Sequence, residues 1–409
     1  MFSFQKHQFN VILTQSIGVS RMLYVKYLFV IALTMLMSCQ HTPDKVTEPV
    51  TAPAIEYVSL DQKLSSELKP IWSQYYINEF NETKSVDILY VTNRNLKSQN
   101  IDCTNDTLGI STDTSVHYGL CRINVPKNHT TGQINFSSDA RQSSHENFKI
   151  LSAKSFDQVT LVNALMQSKK TPLVFVHGFN VRFQEAVLRA AQITYDLKYQ
   201  GPVVLLSWPA GAGDGFFDEK LVNNTYKLNL KSAGESIDTF ESFFQQLAEH
   251  KIKFNLYVHS MGHQIVLPAL TNWCKKQNEC HDHLGLVNEL ILNAPDFEER
   301  KFKDLAPLLN QTANRVTLYC SYNDNALVAS ETYNKNKRIG SCSYVDNVDV
   351  INVSELDAPT LGLGLGHGYY SSRPILSDVF QVLLGIDAEK RLFIRKSEPN
   401  STEKYIMKP

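Results

Sequence analysis

Short apolar runs alternate with stretches of helical spacing through the middle of this chain, and that alternation leaves few folds open. Pro172 to Val176 is a brief apolar run bounded by Gly178, the form of a strand buried on both faces of a parallel sheet. Phe183, Val187, Ala190 and Leu197 follow at helical spacing. Pro202 to Ser207 predicts the next strand, and Ile237, Phe240, Phe244 and Leu247 mark another helix. Phe254 to Val258, Leu290 to Asn293, Val316 to Cys320 and Val348 to Val353 continue the strand series. Upstream, Val86 to Thr92 and Tyr118 to Val125 read as strands, and Ser155 to Met166 as a helix. The order predicts an α/β fold with a mostly parallel sheet and helices on both faces. The interval from Asp296 to Val316 has room for one helix and its loops, so no large cap domain is expected there. No internal repeat is visible.

Ligands on such sheets bind beyond the carboxyl ends of strands. That rule selects the positions after Val176, Val258, Asn293 and Cys320. After Val258 comes His259, Ser260, Met261 and Gly262, then the helical pattern Ile265, Val266, Ala269, Leu270 and Trp273. A strand, a tight turn carrying serine, and a helix form the context of a nucleophile elbow. The usual pattern is G-x-S-x-G, and Val258 occupies the first position, where a bulky side chain crowds the turn.

An alcohol nucleophile needs a histidine base, an acid to orient it and donors for an oxyanion. On this type of fold the chain order is serine, acid, histidine. Ser260, Asp324 and His367 fit that order, and Gly364, Gly366 and Gly368 suit a loop that folds back over the sheet. Asp296 also follows a strand and is the alternative acid, with helix capping as its other role; Asp357 is a weaker third candidate. His259 is expected to point away from Ser260, and His263 to serve the pocket rim or packing. His177 and Gly178 precede Phe179, a turn of the histidine-glycine oxyanion type, so the N–H groups of Phe179 and Met261 are the expected donors. Trp208, Phe216 and Phe217 are candidates for an acyl site or for packing.

Taken together, the segments Val176 to Asn180, Arg189 to Gln192, Ser207 to Ala210, His259 to Gly262, Ala294 to Asp296, Tyr319 to Leu327 and Gly366 to Tyr369 carry a resemblance. They resemble a bacterial family of α/β-hydrolases described as esterase/lipase-like proteins of poorly defined function. The resemblance runs from about Val86 to about Leu384. It implies a Ser-Asp-His site, carried onto Ser260, Asp324 and His367, with no cofactor. Departures are Val258 in the elbow, His263 and Gln264 where Asn is common, and Asn229 where an aspartate is expected after Tyr226.

The N-terminus reads as an address. Lys26 precedes an apolar run from Tyr27 to Met37, too short to span a bilayer and of signal-peptide form. Leu36, Met37, Ser38 and Cys39 resemble the bacterial lipoprotein signal, with Cys39 as the acylated residue and Gln40 resembling an outer-membrane sorting signal. Met22 is a more typical start for such a signal than Met1. The expected organisation is a signal over 1–39, a tether and N-terminal segment over 40–85, a hydrolase domain over 86–390 and a C-terminal tail over 391–409. The chain is thus expected to be exported and lipid-anchored in the cell envelope, at the outer membrane. The 7 cysteines minus Cys39 leave an even set, suited to an oxidising compartment. Cys103 with Cys121 and Cys274 with Cys280 are natural pairs. Cys320 with Cys342 is doubtful, because the two are expected at opposite sheet edges.

A net charge of -1 offers no basic stripe for nucleic acid. No cysteine and histidine spacing suits a zinc site, so no metal is expected. The expected activity is hydrolysis of a small carboxylic ester or thioester substrate. The alternative is a lipid-anchored envelope binding or scaffold protein on a hydrolase fold with little turnover, favoured by Val258.

Overall fold

The structure is a computed structural model that describes residues 85–139, 143–212, 219–276, 285–356 and 365–408. Cys39 and the N-terminal address, the tether, Phe216, Phe217, Cys280 and Asp357 lie outside the described residues.

One twisted sheet organises the chain. Its strands are β1 (Ser85–Leu96), β2 (Leu108–Asn124), β3 (Lys149–Phe156), β4 (Leu173–Val176), β5 (Val203–Ser207), β6 (Phe254–His259), β7 (Val287–Asn293), β8 (Ala313–Cys320), β9 (Asp349–Asn352), β10 (Ile394–Lys396) and β11 (Tyr405–Met407). They lie in the order β10-β11-β9-β8-β7-β6-β4-β5-β1-β2-β3. Every pairing from β1 to β9 through the middle is parallel. Antiparallel pairs close both margins.

The helices are α1 (Gln158–Gln167), α2 (Phe183–Asp196), α3 (Glu219–Glu235), α4 (Ile237–Glu249), α5 (His263–Lys276), α6 (Glu299–Thr312), α7 (Asn325–Asn334) and α8 (Arg373–Leu383). Strand parity divides the core into two layers, because successive side chains leave a strand on opposite faces. Val174, Val176, Leu256, Val258, Leu290 and Leu292 pack in one layer with Phe240, Phe244, Ile265 and Leu309 from α4, α5 and α6. Phe175, Tyr257, Ile291, Tyr319 and Ile351 pack in the other with Phe183, Val187, Ile375 and Val379 from α2 and α8. The central strands therefore carry apolar residues on both faces, broken by a few buried polar ones such as Asn255 and Thr317. As expected, the interval after Asp296 holds one helix, α6.

Three sequence expectations about the fold change. The helix placed from Ser155 begins at Gln158, because the Asp157 side chain accepts a hydrogen bond from the Thr160 N–H at 2.8 Å and caps it. Ser155 and Phe156 belong to β3, an exposed edge strand whose apolar signal is weak. Helix α3 adds to the expected elements: Val222, Tyr226, Leu230 and Ala233 recur at helical spacing, but Asn223, Asn224, Thr225 and Asn229 among them are poor helix formers.

The stretch 391–409 is not a loose tail: β10 and β11 extend the sheet, and Tyr405 pairs with Ile351 of β9. Cys320 and Cys342 are bonded, with Cα atoms 5.1 Å apart. Strands β8 and β9 are neighbours, and the loop between them returns past the end of β8, so the two cysteines never reach opposite edges. Cys103 is bonded to Cys121 as expected, and Cys274 is also disulfide-bonded.

Arg391 fixes the C-terminal stretch to the body. Its guanidinium lies 2.9 Å from the Asp378 carboxylate, both side chains being 0% exposed, and Tyr319 donates to the same carboxylate oxygen at 2.6 Å. Breaking a buried pair strands its partner's charge and costs about 3–5 kcal/mol. Arg391→Met is therefore expected to lower unfolding stability by roughly that amount. Urea titration followed by circular dichroism measures it, and a loss below about 1 kcal/mol would return 391–409 to the status of a tail.

Candidate active site

Ser260 stands where β6 gives way to α5, in a short 3-10 turn over Ser260–Gly262. Its φ is +53°, in the left-handed region that a serine enters only at a cost. The neighbours hold it there. A Cβ on Gly262 would come within 2.8 Å of the His177 carbonyl, and one on Gly178 within 2.7 Å of the Ser260 Cβ. Glycine at both places is therefore a steric requirement of the turn. Val258, suspected of crowding it, is fully buried in the layer beneath. Its methyl stands 3.4 Å from the position a Gly262 Cβ would take, an ordinary contact. The branched side chain packs under the turn and does not obstruct it.

The Ser260 carbonyl receives two donors. His263 Nδ1 lies 2.6 Å away, and the Asp296 N–H 3.3 Å away. His263 is thus an internal clamp on the turn, not a rim residue. Burial pushes its pKa down to about 3 against the pull of that hydrogen bond, so it is neutral and its Nδ1 carries the proton.

Ser260 Oγ lies 2.7 Å from His367 Nε2, and His367 Nδ1 lies 2.7 Å from Asp324 Oδ2. Asp324 follows β8 and is fully buried as a side chain, whereas His367 keeps 16% exposure at the cavity. Asp324 Oδ1 accepts the Leu327 N–H at 3.1 Å, which fixes the carboxylate as the N-cap of α7. The Asn325 N–H donates to the Leu365 carbonyl at 2.9 Å, tying the histidine loop to the acid's loop. Beyond His367, Tyr369 donates to the Tyr319 carbonyl at 3.3 Å, and the Tyr370 carbonyl accepts from Tyr257 at 2.5 Å. Burial opposes charge on His367, but the Asp324 carboxylate, by charge and hydrogen bond, outweighs it and holds the imidazole pKa above its ordinary value.

Asp296 does not reach His367 and does not cap α6, whose N-cap is Glu298. Its Oδ1 accepts from Ser330 at 2.5 Å and faces Arg338 Nε at 3.2 Å, and its Oδ2 accepts from Tyr226 at 2.9 Å. His259 turns away as expected. It stacks on Tyr370 with ring centres 3.6 Å apart, and burial followed by the like charge of His367 keeps it neutral.

The turn after β4 is built on an arginine the sequence reading did not single out. Arg94 is fully buried, and its partners are the Gly109, Ala210 and Val181 carbonyls at 3.0, 2.8 and 2.8 Å, with Ser207 Oγ at 2.9 Å. It gives no sequence signal, since Arg94 lies past the apolar run in the polar stretch Thr92, Asn93, Arg94 and Asn95. Burial lowers its pKa to about 9, which leaves it charged at neutral pH. His177 stacks on Trp208 at 5.4 Å and touches Ser207 Oγ at 3.1 Å, so Trp208 is packing rather than a pocket wall.

Asn229 joins the same support. Its Oδ1 accepts the Asn180 and Gly211 N–H groups at 3.0 and 3.2 Å, and its Nδ2 donates to the Gly211 carbonyl at 2.9 Å. An aspartate could accept but could not donate, which explains the departure at this position.

A cavity of about 180 Å³ opens at Ser260 and His367, walled by Phe179, Tyr226, Leu327, Tyr333 and Leu365. Among the described residues no group of three His, Cys, Asp or Glu side chains is placed to hold a metal ion, and no helix is long and apolar enough to cross a membrane.

A parallel sheet with a strained serine at a strand-to-helix turn, and histidine and carboxylate on later strand-end loops, defines an α/β-hydrolase fold. Residues 153–386 match the family described as alpha/beta hydrolase of unknown function (DUF900), and the chain belongs to that family. No curated protein and no solved structure matches the chain.

Asn229→Asp is expected to lose the donation to Gly211 and to set a carboxylate against that carbonyl, costing about 1–3 kcal/mol. Thermal unfolding at pH 7 measures it, and a stability equal to the parent would show that the amide's donor is dispensable.

Proposed function

We propose that this protein is a serine hydrolase of carboxylic esters or thioesters. The observation that carries the reading is the unbroken path from Ser260 Oγ through His367 to Asp324, both links 2.7 Å long, opening on a cavity. Ser260 Oγ attacks the acyl carbon while His367 Nε2 takes its proton. The tetrahedral oxyanion is held by the N–H groups of Phe179 and Met261, each worth about 2.7–4 kcal/mol of barrier. As the C–O or C–S bond breaks, His367 returns the proton to the leaving alcohol or thiol. Water then adds to the acyl-enzyme by the same path, and the free acid and Ser260 are restored. Asp324 keeps the proton on Nδ1 and stabilises the imidazolium. The envelope-binding alternative drew on Val258, and the packing of that side chain beneath the turn removes its support.

The test is turnover of nitrophenyl esters by the full-length protein, with fluorophosphonate labelling alongside. Ser260→Ala is expected to abolish labelling and to reduce kcat by about 10⁵–10⁶; equal turnover in the variant would sink the reading.

The pH profile is a second test. A histidine base works unprotonated, and the His367 pKa is raised. The profile of kcat/KM should therefore fall as pH drops through a midpoint above about 6.5. Asp324→Asn should cost about 10⁴-fold in kcat and move the midpoint of the residual activity down. A midpoint that stays in place would mean Asp324 does not charge-couple to the base.

We propose further that acyl chains on Cys39 anchor the protein in the bacterial envelope. Each buried methylene adds about 0.8 kcal/mol, so several chains hold firmly. Cys39→Ala is expected to move the protein from the membrane fraction to the soluble one and to abolish incorporation of a clickable fatty acid.

A further inference from the structure

The cavity has a polar end that the hydrolytic steps do not use. Asp296 and Ser330 line it together with Ser260 and His367. Two hydroxyls there donate to the carboxylate. Ser330 Oγ donates to Asp296 Oδ1 at 2.5 Å, and Tyr226 donates to Oδ2 at 2.9 Å. Asn334 Nδ2 in turn donates to the Tyr226 oxygen at 2.9 Å and to Ser330 Oγ at 3.2 Å. Burial and the Asp296 charge push the Tyr226 pKa up to about 12, so it stays a donor at working pH. An ionised carboxylate has about four acceptor positions. Among the described residues Oδ2 has a single donor, Tyr226. A ligand group arriving here must donate rather than accept. Arg338 Nε, 3.2 Å from Oδ1 and buried, already balances the carboxylate's charge, so a neutral donor suits the place better than a cation.

The remaining walls say what carries that donor. Phe179 and Tyr226 have ring centres 5.8 Å apart, and Tyr226 and Tyr333 meet edge to face at 4.8 Å. An apolar cavity of roughly 150 Å³ takes up a benzene ring, and this one measures about 180 Å³. Resting on the serine hydrolase reading above, we propose that the substrate's acyl group is compact and aryl-sized, and carries a hydroxyl that donates to Asp296 Oδ2. The aromatic walls receive the ring and the carboxylate end selects the hydroxyl. A long alkyl chain would bring no donor and would outgrow a cavity of about 180 Å³.

The experiment compares nitrophenyl benzoate, its 3-hydroxy and 4-hydroxy analogues, and nitrophenyl octanoate on the full-length protein. Each rate is divided by the hydroxide-catalysed rate of the same ester, and Ser260 labelling by a fluorophosphonate is run in parallel. A hydrogen bond to a charged group predicts that one hydroxybenzoate exceeds benzoate about tenfold to hundredfold in kcat/KM. Asp296→Ala combined with Arg338→Met, which leaves no unpaired guanidinium, should bring that ratio close to one. Should that variant fail to fold, the parent's ratios decide alone. Benzoate equal to both hydroxybenzoates, or octanoate ahead of all three, overturns the inference while a labelled Ser260 leaves the hydrolase reading standing. No turnover with no labelling overturns both together.

Discussion

The backbone of Ser260, held at a φ of +53°, is the constraint on which the rest of this site depends. That conformation is unfavourable for a residue with a Cβ, so it persists only where the surroundings leave no alternative. Two glycines supply the clearance, since a Cβ on either Gly178 or Gly262 would lie within 2.8 Å of neighbouring atoms. Two donors supply the hold, His263 Nδ1 and the Asp296 N–H, both on the Ser260 carbonyl. The buried parallel strands on either side, β4 and β7, keep β6 from relaxing. Strain, clearance and clamp together aim one hydroxyl at one imidazole.

Two buried charges frame this centre in different ways. Arg94, in β1, has carbonyls and a hydroxyl as hydrogen-bond acceptors, and it gathers the start of β2 and the loops after β4 and β5 around itself. A buried cation dissolved in backbone dipoles keeps its charge at neutral pH and fixes several chain segments at once. Arg338 and Asp296 instead neutralise each other at the cavity wall. The Cys320–Cys342 bond joins the end of β8 to the turn that follows Arg338. The Ser321 N–H also donates to the Gly340 carbonyl at 3.0 Å, a second tie between the end of β8 and the turn after Arg338.

The central sheet was legible because strands buried on both faces carry short apolar runs, such as Leu173 to Val176 in β4, Val203 to Leu206 in β5 and Leu290 to Leu292 in β7. The edges were not. Strand β3 alternates weakly and faces solvent, and β10 and β11 are three residues each, below the length at which periodicity speaks. Helix α3 was missed because Asn223, Asn224, Thr225 and Asn229 interrupt its apolar positions. The order Ser260, Asp324, His367 was readable from strand ends and glycines. Arg94, Ser330 and Arg338 were not, since a charge or hydroxyl in sequence carries no sign of which carbonyl or carboxylate it will meet.

The amino-acid sequence by itself determined the α/β class and the position of each central strand. Those properties follow from local spacing, and local spacing is preserved in one dimension. Which of Asp324 and Asp296 faces His367 was decided only by the tertiary structure. Both follow parallel strands, but the loop carrying His367 is tied by Leu365 to Asn325 and delivers the imidazole to Asp324. Asp296 is occupied by Ser330, Tyr226 and Arg338, which arrive from segments 34, 70 and 42 residues away in the chain. The same closure paired Cys320 with Cys342, because neighbouring strands and a returning loop set a Cα separation that no count of intervening residues contains.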